Sequence, residues 1–107
     1  MLADKKCVPC EGGVSPLTRA EAGTLLKQIS DWKISDDAEK ISKKFKFRNF
    51  ADALAFVNNV GAIAEREGHH PDLQLSWGKV CIELSTHAIG GLSENDFILA
   101  AKIDQVS

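Results

Sequence analysis

The sequence predicts an α+β domain: a four-stranded antiparallel sheet with three helices packed on one face, in the order α-β-β-α-β-β-α. Two observations carry that prediction. Two pairs of short alternating apolar segments are each joined by a polar turn, as in hairpins, and hairpin-joined strands make antiparallel sheets. Three segments with apolar residues at helical spacing precede, separate and follow those pairs, with no internal repeat.

A polar leader spans residues 1–16, where Cys7-Val-Pro-Cys10, Gly12-Gly13 and Pro16 discourage regular structure. They predict a mobile or loosely docked arm ahead of a domain over residues 17–107. Thr18-Arg-Ala-Glu21 has the spacing of a capping box, so the first helix begins at Thr18 and buries Ala22, Leu25, Leu26 and Ile29. Trp32-Lys-Ile and residues 40–48 read as strands joined by the polar residues 35–39. In the second, Ile41, Lys43, Phe45 and Phe47 alternate against Lys44, Lys46 and Arg48, with Lys43 the one break in the pattern.

After Asn49, residues Phe50, Leu54, Val57, Gly61 and Ala64 recur at helical spacing, widened by Ala53, Phe56, Val60 and Ile63. That face is broad enough for both a sheet and a second subunit. Gly68 suits the left-handed conformation that closes helices, and His69-His70-Pro71 cannot easily continue one. Leu73, Leu75 and Trp77, a Gly78-Lys79 turn, then Val80, Ile82 and Leu84 make the second hairpin. Gly90-Gly91 breaks the chain, and Ser93 caps a last helix through Ile103, with Leu92 and Phe97 placed as a hydrophobic staple.

With 107 residues, 44% hydrophobic and 26% charged, the chain is long enough for one packed core and ordinary in composition. A formal charge of −2 offers no phosphate-neutralising surface, so charge does not point to nucleic acid. No stretch approaches the roughly 20 apolar residues that span a bilayer, and the N-terminus lacks the apolar core of a signal peptide. Three cysteines, an odd number, do not look like a secreted disulfide framework. Cys81 lies in an apolar strand pattern and is expected to pack as a small buried hydrophobe. These readings place the chain in the cytoplasm.

The chemistry-bearing residues are the three histidines. Imidazole is the one side chain whose unperturbed pKa lies near neutrality, so it both gives and takes protons. Glu65 and His69 are four apart, which sets a carboxylate beside an imidazole if the helix reaches Gly68. Even positions 80, 82 and 84 share one strand face, which puts Ser85 and His87 on the face away from the helices. Asp96, three residues after Ser93, has the bland role of favouring a helix N-terminus. Three histidines also invite a zinc reading, but adjacent histidines before a proline are not the i, i+4 pair that brings two ligands together. Cys7-x-x-Cys10 is half of a zinc or redox motif without its second half. No Gly-x-Ser-x-Gly elbow, phosphate loop or dinucleotide fingerprint is present.

Together, Glu65-x-x-x-His69-His70-Pro71, Trp77, Leu84-Ser-Thr-His87 and Asp96 resemble the signature of the pterin-4a-carbinolamine dehydratase family. The resemblance runs through nearly the whole domain from Thr18 and includes Trp32, and bacterial members often carry a Cys-x-x-Cys leader. It implies dehydration of 4a-hydroxytetrahydropterin to quinonoid dihydropterin and water, which recycles the pterin after aromatic amino-acid hydroxylation and needs no cofactor and no metal. It implies that His69 and His87 transfer protons while His70 binds and orients. Asp96 would support the site electrostatically, Glu65 would position His69, Trp32 would line the pocket, and backbone groups of Ser85 and Thr86 would meet the pterin's amide edge. It implies dimers through sheet extension and tetramers through the central helix. Animal members tend to have an aromatic residue at the place of Leu73 and an arginine at that of Asn95, so the pocket rim differs here. The competing readings are a non-catalytic interaction or dimerisation module, as animal relatives partner a transcription factor, and a dehydratase-like protein serving molybdopterin metabolism.

Overall fold

A computed structural model describes residues 1–8 and 15–107. Its elements run α1 (Arg19–Leu26), β1 (Lys33–Ile34), β2 (Ile41–Lys46), α2 (Phe50–Glu67), β3 (Asp72–Ser76), β4 (Lys79–Leu84) and α3 (Glu94–Gln105), the predicted order. Short 3-10 turns over Leu2–Asp4 and His87–Ile89 complete the set among the described residues. The four strands form one antiparallel sheet in the order β1-β2-β4-β3, so the two hairpins meet through β2 and β4.

Local hydrogen-bond and backbone chemistry sets the start of α1 and both ends of α2. Thr18 Oγ1 accepts the Glu21 amide at 3.1 Å while Glu21 Oε1 accepts the Thr18 amide at 2.9 Å, closing the capping box that opens α1. Asn49 Oδ1 accepts the Asp52 amide at 2.7 Å and opens α2. Gly68 ends that helix at φ 67, a left-handed backbone that only glycine adopts without strain.

The pleat sorts the sheet into two faces. Ile41, Phe45, Val80, Ile82 and Leu84 are buried, and with Phe56, Val60 and Ile63 of α2 and Phe97, Leu99 and Ile103 of α3 they form the core. Phe45 stacks at a tilt on Phe56, ring centroids 4.7 Å apart, and meets the edge of Trp32 at 6.1 Å. Lys43, the odd residue in the strand pattern, faces this side and is made compatible by partners: its ammonium donates to Ser30 O at 2.8 Å and to Asp104 Oδ1 at 2.9 Å. The opposite face carries Ser42, Lys44, Lys46 and Lys79 into solvent. Cys81 lies on this uncovered face and is half-buried, opposite Lys44 and Gln74, which corrects the expectation of a thiol packed in the core.

Residues 1–8, expected within a mobile or loosely docked leader, make specific contacts: Leu2 is buried, and Lys102 Nζ donates to Ala3 O at 2.9 Å. Cys10, the other half of the Cys-x-x-Cys motif, lies outside the described residues. Among the described residues no helix is long and apolar enough to cross a membrane.

Candidate active site

His69 leaves the C-terminus of α2, and the left-handed turn at Gly68 aims it at α3 rather than along its own helix. Its Nε2 lies 2.6 Å from Asp96 Oδ1, with the His69 side chain 12% exposed and Asp96 wholly buried. The other oxygen of Asp96 accepts the Thr86 hydroxyl at 2.8 Å and the Ser93 amide at 3.0 Å. Asp96 therefore does both things the sequence offered: it caps α3 and holds an imidazole. All its partners are donors, so the network places a proton on His69 Nε2, and the neutral ring then carries its lone pair on Nδ1. A carboxylate fixed in this way fixes the ring and its tautomer.

Thr86 anchors the second histidine. Besides its hydroxyl bond to Asp96, Thr86 takes a 2.7 Å contact with the Ser93 hydroxyl, and its amide donates to Gly91 O at 2.8 Å. These bonds close residues 86–91 into a loop whose 3-10 turn begins at His87 and ends at Gly90, φ 67. His87 thus opens a turn rather than ending a strand, and it stands in solvent with Nε2 4.0 Å from Asp72 Oδ2. His70 pairs through Nε2 with Glu65, both exposed.

The three imidazoles face one cleft of about 390 Å³, walled by Gly68, Pro71, Asp72, Ser85, Thr86 and Ala88. A neighbouring hollow of about 280 Å³ shares Asp72, Ser85, Thr86 and His87 and adds Lys40 and Glu39. A larger hollow of about 470 Å³ lies on the uncovered sheet face among Lys33, Lys44, Asp72 and Cys81, but it holds no imidazole. Size alone would choose it. The smaller cleft is the one whose walls can move protons.

The structure brings His69, His70, His87, Ser85 and Thr86 to one cleft and buries Asp96 behind it. Glu65 meets His70, not His69, because the chain turns at Gly68 before the expected i, i+4 partner is reached. Trp32 is not at the cleft: it is buried among core rings, and its indole N–H donates to both Asp104 carboxylate oxygens at 3.1 Å. The Thr86 amide, expected at the pterin edge, is spent within its own loop. Trp77 sits at the hairpin tip, 68% exposed. Asp72 and Ser93 were missed; a lone Asp at a strand start carries no spacing signal, whereas Ser93 was legible as a cap but not as a hydroxyl partner of Thr86. Among the described residues no group of three or more His, Cys, Asp and Glu side chains is arranged to hold a metal ion.

Comparison with known proteins identifies the family. The profile of the family described as pterin 4 alpha carbinolamine dehydratase matches residues 15–106. A protein of Halorhodospira halophila named "Putative pterin-4-alpha-carbinolamine dehydratase" is 54% identical, covering 96% of this chain and 94% of its own length. One of the same name from Methylococcus capsulatus is 48% identical over 99% of this chain and 93% of its own. A crystal structure of a "transcriptional coactivator/pterin dehydratase" from Brucella melitensis superposes with TM-score 0.81 at 30% identity, covering 86% of this chain and 98% of that one. A pterin dehydratase-like protein identified as a RuBisCO assembly factor in the alpha-carboxysome superposes with TM-score 0.62 at 25% identity, covering 71% and 88%. The match across the domain shows that this chain belongs to the pterin-4a-carbinolamine dehydratase family.

Proposed function

We propose that the chain dehydrates 4a-hydroxytetrahydropterin, with His69 and His87 as the proton-transfer pair and His70 binding and orienting the substrate. The observation that supports this most is the convergence of three imidazoles on one cleft, with His69 held by buried Asp96. The reaction needs two proton movements. The C4a–O bond breaks as its oxygen is protonated and leaves as water, and the N5 proton is removed so that its electron pair forms the C4a=N5 bond. A group that accepts a proton at N5 and one that supplies a proton to the departing oxygen suffice, and no electrons are exchanged with an external acceptor.

His69 suits one half of this exchange, because its Nε2 proton is committed to Asp96 and its Nδ1 lone pair is available. His87, exposed beside Asp72 on the far wall, suits the other. The Ser85 backbone, just past the end of β4 and lining the cleft, is the group left for the pterin's amide edge. The physiological role is recycling of the tetrahydropterin after aromatic amino-acid hydroxylation, in the cytoplasm, by a homodimer or homotetramer without a cofactor or a metal. Stopped-flow decay of the carbinolamine is the test. Acceleration by the wild-type chain, lost in His69→Ala and His87→Ala, is the expected result; no acceleration, or full activity in both variants, overturns it.

A second reading is favoured by the names of two structural relatives, one a transcriptional coactivator and the other an assembly factor. There the fold serves as an interaction module. A stable partner whose binding ignores the histidine substitutions would support that reading.

A further inference from the structure

His69 and Asp96 are 27 residues apart and belong to two helix ends, the C-terminus of α2 and the N-terminus of α3. Both ends are tied to the same short segment of the N-terminal leader. The Cys7 amide donates to Glu67 Oε1 at 2.9 Å, on the last residue of α2 and two residues before His69. The Cys7 thiol lies 3.6 Å from Asn95 O, the Val8 amide donates to Asn95 Oδ1 at 3.0 Å, and Asn95 Nδ2 donates back to Val8 O at 2.6 Å. Asn95 immediately precedes Asp96. One residue earlier in α3, Glu94 pairs with the Lys5 ammonium at 3.0 Å.

The receiving side chains are themselves buried: Glu67 is 5% exposed and Asn95 is 3% exposed. Leaving such groups without partners is costly, so the leader contacts are strongly held rather than incidental. Lys102 reinforces them from α3, reaching Glu67 at 3.9 Å and Ala3 O at 2.9 Å.

We propose that residues 5–8 are a strap that sets the distance and angle between His69 and Asp96, so that Cys7, Val8, Glu67 and Asn95 are positioning residues for the imidazole. The strap joins α2 at Glu67, two residues before His69, to α3 at Asn95, the residue before Asp96. Loosening it shifts the buried carboxylate relative to the ring, and a misplacement of about 1 Å costs on the order of 10²-fold in rate. The kinetic consequence rests on the dehydratase reading; the geometric one does not.

The strap holds Asn95 through the Val8 backbone, and Val8 itself is an exposed side chain, so Val8→Pro removes the donor without disturbing the core. The experiment compares full-length wild type, Val8→Ala and Val8→Pro by imidazole 15N–1H correlation spectra, beside melting curves and kcat and KM. In the wild type the Nε2 proton of His69 is protected by its bond to Asp96 and is resolved at low field. Val8→Ala, which keeps both backbone groups, retains that signal, while Val8→Pro loses it and lowers kcat by roughly 10-fold or more with KM within about threefold. Leu75→Ala, on the far hairpin, lowers Tm without moving the signal. A folded Val8→Pro chain with the wild-type His69 signal overturns the proposal whether or not the protein turns over a pterin, and so does loss of the signal in Leu75→Ala. A Val8→Pro chain that fails to fold while Asn95→Asp, which keeps an acceptor but loses the donor to Val8 O, retains the wild-type signal also overturns it.

Discussion

Asp96 shows how one residue takes two roles that a sequence presents as alternatives. Three residues after Ser93, it was legible as a helix-start residue, and it does accept the Ser93 amide. Its second oxygen reaches across to His69, a contact that no local spacing announces. Glu65 is the converse case: the i, i+4 rule assigned it to His69, but Gly68 turns the chain out of the helix and delivers His70 instead. Thr86→Val removes a hydroxyl donor from the buried Asp96 and should lower stability by about 1–3 kcal/mol, read from the urea midpoint at unchanged m. His70→Ala breaks only an exposed pair, which costs stability little, and should raise KM more than it lowers kcat in steady-state assays.

At the scale of elements, caps and turns were the readable part. The Thr18–Glu21 box places the start of α1 and Gly68 the end of α2, because both are local backbone chemistry, whereas Asn49 was legible only as the residue before the helix it caps, and Ile29 falls beyond the end of α1. Gly68→Ala meets no atom within 4 Å but must hold φ 67, so the expected cost is conformational, roughly 1–2 kcal/mol, with His69 mis-aimed and activity reduced further than stability explains. The leader was the unreadable part, since its docking depends on Glu67 and Asn95, which are far away in sequence. The Cys7 amide first, and then the charges of Lys102, Arg66 and Lys6, hold the Glu67 carboxyl below its ordinary value of 4.5 against the opposing effect of burial. A group lowered on folding contributes stability above its unfolded pKa and loses it as pH falls through the folded one. Wild-type Tm should therefore fall more steeply than that of Glu67→Gln as pH drops below 4.5, measured by scanning calorimetry.

For the whole molecule, the period-2 and helical patterns were enough to derive an α+β domain with one covered sheet face, because burial sorts those residues whatever the detailed order of strands. Strand order itself came from long-range pairing of β2 with β4, which the pattern does not encode. Trp32 was assigned to the pocket by resemblance alone, and in this chain its indole serves the core and Asp104. Phe50 and Leu54 leave an apolar stripe on α2 at 44% and 40% exposure, which suits the proposed oligomer. Leu54→Lys is expected to shift the sedimenting species towards the monomer mass of 11.6 kDa, and a wild type that already sediments there contradicts the homo-oligomer.

If His69 and Asp96 act as one unit in dehydrating a pterin carbinolamine, their losses are not independent, and a double-mutant cycle in the stopped-flow assay measures that coupling. His69→Ala is expected to lower kcat/KM by about 10²–10⁴-fold. Asp96→Asn should cause a substantial loss of its own, and the double variant should be no slower than His69→Ala alone, since a carboxylate that works only through the imidazole has nothing left to orient. Losses that multiply, or a His69→Ala chain as fast as wild type, would contradict it.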